Sequence, residues 1–421
     1  MAAARENELI NNLPIIAVTF LLVFFTFGVP TFSLPFIYSG AMEEFGWNRQ
    51  QATLLATAKF VIGAVAALVM GRLLDKYSAN PIVIVAACMG GLGLLGMLWV
   101  SNLFIYYVMG FLLGVAASGA SACMKVVVAR VFERQMGTAL GVVFAANSAA
   151  CVLVLIIVVP LMESMGWRNA LAVMSLGVWL VSIPAWLLLF RPGSTYAARI
   201  AVPTDHKPRG SMLAHFRDIA RHRNFWLIAI SIFLVAGVDQ GMTQNAALFL
   251  ELDKGMNIRN VAWAASLFAA VGLVAKIFWG WVYDKMSIRG IQLTYLMLVV
   301  AILLAFPVAG MFTMMLFMTM RGFAHGGLIV DVPVLTKHYY GPQNIGLNMG
   351  IMAVFMNLGF AVGPPLLARF ADVQGSLTNG FILYMAITLV AVAMLLPIRP
   401  RFWEPPERWA KWAPQPVRAT G

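Results

Sequence analysis

Charge is what this chain has least of. Only 11% of its 421 residues are Asp, Glu, Lys or Arg, against 61% that are hydrophobic. No water-exposed surface can be covered at that ratio, which excludes an ordinary soluble domain. Cysteine is rarer still. Cys88, Cys123 and Cys151 fall inside apolar stretches with no ligand-like spacing, so packing is their expected role, and neither a disulfide framework nor a metal site is. The apolar stretches also lack paired histidines, acidic metal motifs and a nucleophile–base set, so the sequence predicts no enzyme and calls for no cofactor or metal.

Long hydrophobic runs are what it has in abundance. Twelve stretches, near 13–38, 49–74, 81–100, 102–129, 137–161, 168–190, 224–250, 258–283, 291–309, 311–337, 344–368 and 379–397, each reach the length of about 20 residues that spans a bilayer as a helix. The fold class expected is therefore an all-α membrane protein of twelve transmembrane helices, with the lipid bilayer as its surroundings. The first apolar segment is too long for a cleavable signal peptide and no small-residue cleavage site precedes Glu43.

The net charge of +12 is distributed by side. Arg72 and Lys76 follow the second stretch, Arg191, Arg199, Lys207, Arg209, Arg217, Arg221 and Arg223 crowd the centre, and Arg399, Arg401, Arg408, Lys411 and Arg418 lie in the tail. The opposite side holds only Arg49, Arg168, Lys254, Arg259 and Arg369. The positive-inside rule places both termini in the cytoplasm of a plasma-membrane protein. Nucleic acid is not an expected partner, because the basic residues orient the chain.

One polar connection, 191–223, with Pro192, Pro203 and Pro208, divides the chain. The expected organisation is a six-helix half (1–190), a cytoplasmic loop (191–223), a second six-helix half (224–397) and a cytoplasmic tail (398–421). Ser211 to Arg223 reads as a short amphipathic helix with Met212, Leu213, Phe216 and Ile219 turned to lipid. Trp403, Trp409 and Trp412 read as an interfacial anchor.

The halves repeat. Gly46, Asn48, Gly63, Gly71, Asp75, Lys76, Gly137 and Gly141 recur at a constant offset of 209 residues as Gly255, Asn257, Gly272, Gly280, Asp284, Lys285, Gly346 and Gly350. Two parallel copies on membrane segments are the design of a secondary transporter, with a central site between halves that rock. The repeated Gly-x-x-x-Asp-Lys ends two helices. Its glycine permits close helix approach, and its aspartate can accept hydrogen bonds from the N-terminus of a neighbouring helix or pair with a base. Gly71, Asp75, Lys76, Gly280, Asp284, Lys285 and Arg289 are the expected gating residues.

That motif, Gly71-Arg-Leu-Leu-Asp75-Lys76 and Gly280-Trp-Val-Tyr-Asp284-Lys285, resembles the cytoplasmic loop motif of the major facilitator superfamily. Phe27-Gly28, the run Glu43 to Arg49, Ala129 to Gly137 with Ala139-Leu140-Gly141, and Gly166-Trp167-Arg168-Asn169 are similar to bacterial members of its monocarboxylate and oxalate–formate carrier branch. The resemblance implies a cavity lined by the first, fourth, seventh and tenth helices, and a monomer is the expected functional unit. It also implies that Lys276 stands where carriers of this branch have an arginine that binds the substrate carboxylate. Three departures follow: the first helix has no ionisable residue, Gly272 stands one turn before Lys276 where those carriers have an acid, and no lysine occurs between Asn344 and Ala368. Proton symport and anion exchange both stay open.

Ionisable groups inside apolar helices mark sites, because each is costly unless paired or hydrated. The candidates are Lys59, Lys125, Asp239, Lys276, Arg321, His325 and Asp331. Cations exceed carboxylates, and an anionic substrate would offset the excess. Substrate binding is assigned to Lys276, Arg321, Gln240, Thr243, Gln244, Ser121 and Lys59; proton coupling is assigned to Asp239, His325 and Asp331. Each has a rival reading: Lys276 as a helix-holding partner of Asp239 or Asp331, Arg321 with Asp239 as a structural pair, and Lys125 as a snorkelling residue near its helix end. The function expected is a carrier of small organic anions, monocarboxylates first, moving with a proton or an exchanged anion. A carrier of drugs or sugars, or a nutrient sensor on the same fold, is the alternative.

Overall fold

A computed structural model describes residues 8–47, 49–200, 211–374 and 376–403. Asn48, Pro203, Lys207, Pro208, Arg209, Arg408, Trp409, Lys411, Trp412 and Arg418 lie outside the described residues, and Arg49, Arg259 and Arg369 are described in backbone only.

Every regular element among the described residues is a helix. Ten helical segments, from Leu13–Leu34 to Leu377–Leu395, are long and apolar enough to cross a membrane. The Arg49–Lys76 and Met311–Leu328 helices complete the twelve expected segments. Their apolar character is diluted by Lys59 in one and by Arg321 and His325 in the other, so the least hydrophobic helices are those that carry buried ionisable groups.

Proline punctuates the helices in a regular way. π-Helical turns at Phe24–Gly28, Val154–Val158 and Gly177–Ser182 run straight into α-helices with proline in their first two positions: Pro30, Pro160 and Pro184. A proline has no N–H to give and its ring crowds the carbonyl four residues back, so the preceding turn widens. The apolar stretches continue, but the backbone bends.

The tenth stretch departs from expectation. Instead of one helix over 311–337, the chain forms Met311–Leu328 and Asp331–Tyr340. Pro333 cannot donate to the Ile329 carbonyl, and the Val330 N–H turns back to Gly327 O at 2.9 Å. Asp331, expected within a continuous helix, therefore opens a new one, where a carboxylate suits the positive helix end.

The chain forms two compact units: Met1–Gln135 with Val142–Pro208, and Met136–Gly141 with Arg209–Gly421. In the first, Gly114 brings the Leu103–Val131 helix onto the Arg49–Lys76 helix so closely that a Cβ there would lie 2.4 Å from the Lys59 carbonyl. In the second, the Arg223–Leu248 and Ile345–Gln374 helices meet at Gly237 and Gly363, where an added Cβ on Gly363 would stand 1.9 Å from Gly237 O.

Two connecting segments differ from their expected roles. The amphipathic helix forms over Met212–Ala220, capped by Ser211. Leu213 is 73% exposed, but Ile219 is only 8% exposed and the Phe216 ring meets Phe225 edge-on at 5.8 Å. The expected four-residue lipid face is thus split, with Phe216 and Ile219 packed inward. Trp403 also packs back on the protein: its ring lies 5.8 Å from His338, and its indole N–H donates to the Asp284 carbonyl at 3.4 Å.

Candidate functional site

The second unit gathers its ionisable groups at one place. Asp239 and Thr243 stand one turn apart on the Arg223–Leu248 helix, which aims both side chains the same way. Arg321 and His325 stand one turn apart on the Met311–Leu328 helix. The Arg321 guanidinium meets Asp239 with Nη1 2.8 Å from Oδ1. Its Nη2 donates to the Asp239 carbonyl at 2.5 Å and to Thr243 Oγ1 at 2.7 Å. His325 Nδ1 lies 2.9 Å from Asp239 Oδ2 and 3.1 Å from Oδ1. Asp239 and Arg321 are each 1% exposed, so this ion pair is fully withdrawn from water.

The guanidinium is not fully used. Nε and Nη1 of Arg321 have no hydrogen-bond acceptor among the described residues, Nη1 making only the ion-pair approach to Asp239. A buried donor left in this state is costly and marks a place where a further acceptor would be held.

Phe268, on the Ile258–Met286 helix, supplies the floor. Its ring centroid is 5.5 Å from the Arg321 guanidinium carbon and 5.1 Å from the His325 ring. A Cβ on Gly322 would stand 2.5 Å from the Phe268 carbonyl, so only a glycine lets the two helices meet here. Phe268 was not among the sequence candidates. An aromatic residue in an apolar run carries no signal that separates a site residue from packing.

Lys276 lies two turns beyond Phe268 on the same helix and is completely buried. Gly326 packs against the Ala275–Lys276 backbone, and Lys276 is within electrostatic reach of His325. Of the other helix-seven candidates, Gln240 is half-buried and Gln244 is exposed. Asp331 is buried at the start of its own helix, with Oδ1 accepting the Val332 N–H at 2.6 Å and Oδ2 the Tyr295 hydroxyl at 3.1 Å.

In the first unit, Lys59 is 3% exposed and donates to Thr31 Oγ1 at 2.7 Å. No carboxylate among the described residues lies within 4.0 Å of it. Lys125 does not snorkel: it is 6% exposed, with its ammonium 5.6 Å from the centre of the Phe144 ring. That cation–π contact is one interaction that favours the buried charge. Ser121, one turn before Lys125, is half-buried.

The repeated motif has a specific geometry in its second copy. Asp284 caps the start of the Met136–Leu153 helix: Oδ1 accepts the Gly137 N–H at 2.6 Å, and Oδ2 accepts the Thr138 N–H at 2.8 Å and its hydroxyl at 2.7 Å. Gly137 and Gly280 make the contact possible, since a Cβ on Gly280 would lie 2.1 Å from Gly137 O. Lys285 is half-buried and Arg289 exposed. In the first copy Gly71 and Asp75 are buried and Lys76 is exposed, while Arg130 donates to the neighbouring Leu74 carbonyl at 2.5 Å.

Comparison with known proteins fixes the class. The sequence pattern of the Major Facilitator Superfamily matches residues 16–293 and 247–419. The chain belongs to that superfamily: it is an integral membrane transporter and not an enzyme. It is similar to Monocarboxylate transporter 12 of Xenopus laevis, 21% identical over 66% of this chain and 65% of that protein, so it spans just under two thirds of that relative. It is also similar to Monocarboxylate transporter 11 of Homo sapiens, 24% identical over 85% of this chain and 76% of that protein. Sialic acid transporter NanX of Escherichia coli is 22% identical over 84% of this chain and 86% of its own length. Among solved structures, the human organic anion transporter MFSD10 has a similar fold, with a TM-score of 0.72 at 15% identity over 91% of this chain and 99% of that one.

Proposed function

We propose that the protein is a secondary active carrier of small organic anions, with monocarboxylates as its first substrate class, working by alternating access. The observation that carries this reading is the buried Arg321 guanidinium, held by Asp239 and Thr243 yet with Nε unsatisfied among the described residues. A carboxylate is the acceptor that matches its planar fork. Lys276 adds a second buried cation on the adjoining helix, and the Phe268 ring lies against the Arg321 guanidinium. Lys59 is the counterpart cation of the first unit, and Gln240, Gln244 and Ser121 supply further polar contacts to the substrate.

Asp239 and His325 form the coupling pair. When a substrate carboxylate takes over Arg321, Asp239 is left as an uncompensated buried charge, which a proton from His325 or from water neutralises. Release of that proton restores the Arg321 pair. Exchange of one anion for another uses the same site without the proton, so symport and exchange are two modes of one mechanism. The Asp284 cap on Gly137 and Thr138 is the latch that holds one conformation. The carrier works in the plasma membrane as a monomer, with both termini cytoplasmic.

The relatives support the substrate class, since two of those compared are monocarboxylate transporters by name. The test is counterflow in proteoliposomes with labelled lactate, pyruvate, formate, oxalate and a neutral sugar, beside Lys276→Ala and Arg321→Gln. Flux of an acid that falls at least about tenfold in both variants is expected, the loss of one charge-assisted contact of roughly 1.5–3 kcal/mol. Flux of the sugar alone, or full flux in the variants, overturns the reading.

A further inference from the structure

Asp331 has no part in the substrate site, yet it is joined to it. A small cavity inside the second unit has Asp239 and Asp331 in its wall, with apolar side chains such as Ile232, Val235, Val332 and Phe360 making up the rest. The space open to the centre of a water molecule is ≈ 10 Å³, close to what one water needs. A water also needs two or more polar partners, and Asp239 and Asp331 are the two polar residues among those described in this wall. Both are buried, Asp239 at 1% and Asp331 at 3% exposed.

We propose that this cavity holds a single bridging water and that Asp331 is the second station of a proton path running His325, Asp239, water, Asp331. The inference rests on the anion-carrier reading of the Arg321 site and assigns where its proton goes. In each transfer the water accepts the proton from one carboxylic acid and gives one of its own to the other carboxylate. One proton crosses, the water is restored, and no other reactant is required. The broken tenth stretch makes the arrangement possible: because Asp331 opens a new helix, its carboxylate turns back to its own Val332 N–H and reaches the Tyr295 hydroxyl while bordering the cavity.

Charged and polar groups border the path on several helices. Asp239 faces Arg321 and His325 from the Met311–Leu328 helix, with Lys276 of the Ile258–Met286 helix in electrostatic reach of His325. Asp331 faces the Tyr295 hydroxyl from the Ile288–Ala305 helix and lies in reach of Tyr283 from the Ile258–Met286 helix. The Ile345–Gln374 helix contributes only Met356 and Phe360 to the cavity wall.

The experiment separates two transport modes of the full-length protein in proteoliposomes: exchange of labelled lactate against unlabelled lactate without a pH gradient, and net lactate uptake driven by an inward proton gradient. Asp331→Asn is expected to keep exchange within about twofold of wild type and to lower net uptake by about tenfold or more, the size of effect lost with a positioned proton-transfer group. Val332→Ile, which adds one methylene to the cavity wall and leaves both carboxylates in place, is expected to lower net uptake in the same selective way. Net uptake that survives in both variants overturns the path, as does an equal fall of exchange and uptake, which would make Asp331 a structural residue. Exchange by the wild type without any gradient-driven uptake also overturns the path but leaves the carrier reading standing. No lactate movement of either kind in the wild type, where a neutral sugar moves, removes that reading as well.

Discussion

Asp284 holds Thr138 twice: Oδ2 accepts both the backbone N–H at 2.8 Å and the side-chain hydroxyl at 2.7 Å, while Oδ1 takes the Gly137 N–H at 2.6 Å. A carboxylate on the first turn of a helix satisfies donors that the helix itself leaves open and lies at the favourable end of its dipole. Asp284→Asn keeps the shape but offers one acceptor oxygen, and is expected to lower stability by about 2 kcal/mol. Thr138→Val removes only the hydroxyl bond and should cost about 1 kcal/mol. The melting temperatures of the purified variants in detergent test the order. A Thr138→Val variant as damaged as Asp284→Asn would mean that the backbone contacts carry little.

The Arg321–Asp239 pair makes a sharper prediction. Removing either partner alone strands a buried charge, so Arg321→Gln and Asp239→Asn are each expected to cost about 3–5 kcal/mol. Combining them removes both charges, and the double variant should recover most of that stability. Transport separates function from architecture. If the pair only held helices together, the double variant would carry its substrate; a substrate-binding Arg321 predicts a stable protein without flux.

The apolar runs and the repeated motif were legible because both are local: a spanning helix announces itself in about 20 consecutive residues, and Asp75 and Asp284 share one spacing rule. The pairing of Asp239 with Arg321 was legible only as one of two rival readings, since residues so far apart in sequence meet through helix packing that no local pattern encodes. The π-turns before Pro30, Pro160 and Pro184 follow from proline chemistry, yet the uninterrupted hydrophobicity hid them. The break before Asp331 was hidden in the same way. Phe268 and Thr31 were missed for another reason. Each is an ordinary residue of its helix until Arg321 or Lys59 is placed against it. Lys125 was misjudged because distance to a helix end says nothing about a ring such as Phe144 waiting beside it.

The tail offers a test of packing. The backbone N–H groups of Arg401 and Phe402 both donate to the His338 carbonyl, at 2.9 and 3.0 Å, and the Trp403 ring lies tilted against the His338 ring while its indole N–H reaches the Asp284 carbonyl. Trp403→Ala removes the aromatic contact and the indole hydrogen bond, and should cost about 1–2 kcal/mol. Limited proteolysis is the direct measurement: faster cutting after Arg399 or Arg401 in the variant is expected. Equal cutting in both proteins would show that the strap is held by its backbone alone.

Lys59 and Thr31 permit a prediction whose sign, and not only size, is informative. The ammonium is buried with one hydroxyl partner and no carboxylate within ion-pair distance among the described residues. A charge held this way costs the fold free energy, and replacing it with an apolar side chain of similar length removes that cost. Lys59→Met is therefore expected to raise stability by about 1 kcal/mol, in the range seen when a functional residue is exchanged for a packing one. Anion flux should fall in the same variant. Thr31→Val, which takes away the hydroxyl but leaves the charge, is expected to do the reverse: it lowers stability, because the ammonium loses a buried acceptor worth roughly 1.5–3 kcal/mol, and it leaves flux nearer to wild type. A lysine that served packing alone would give a less stable Lys59→Met with its transport intact. Thermal melts and counterflow on the same two preparations decide between these opposite pairs of signs.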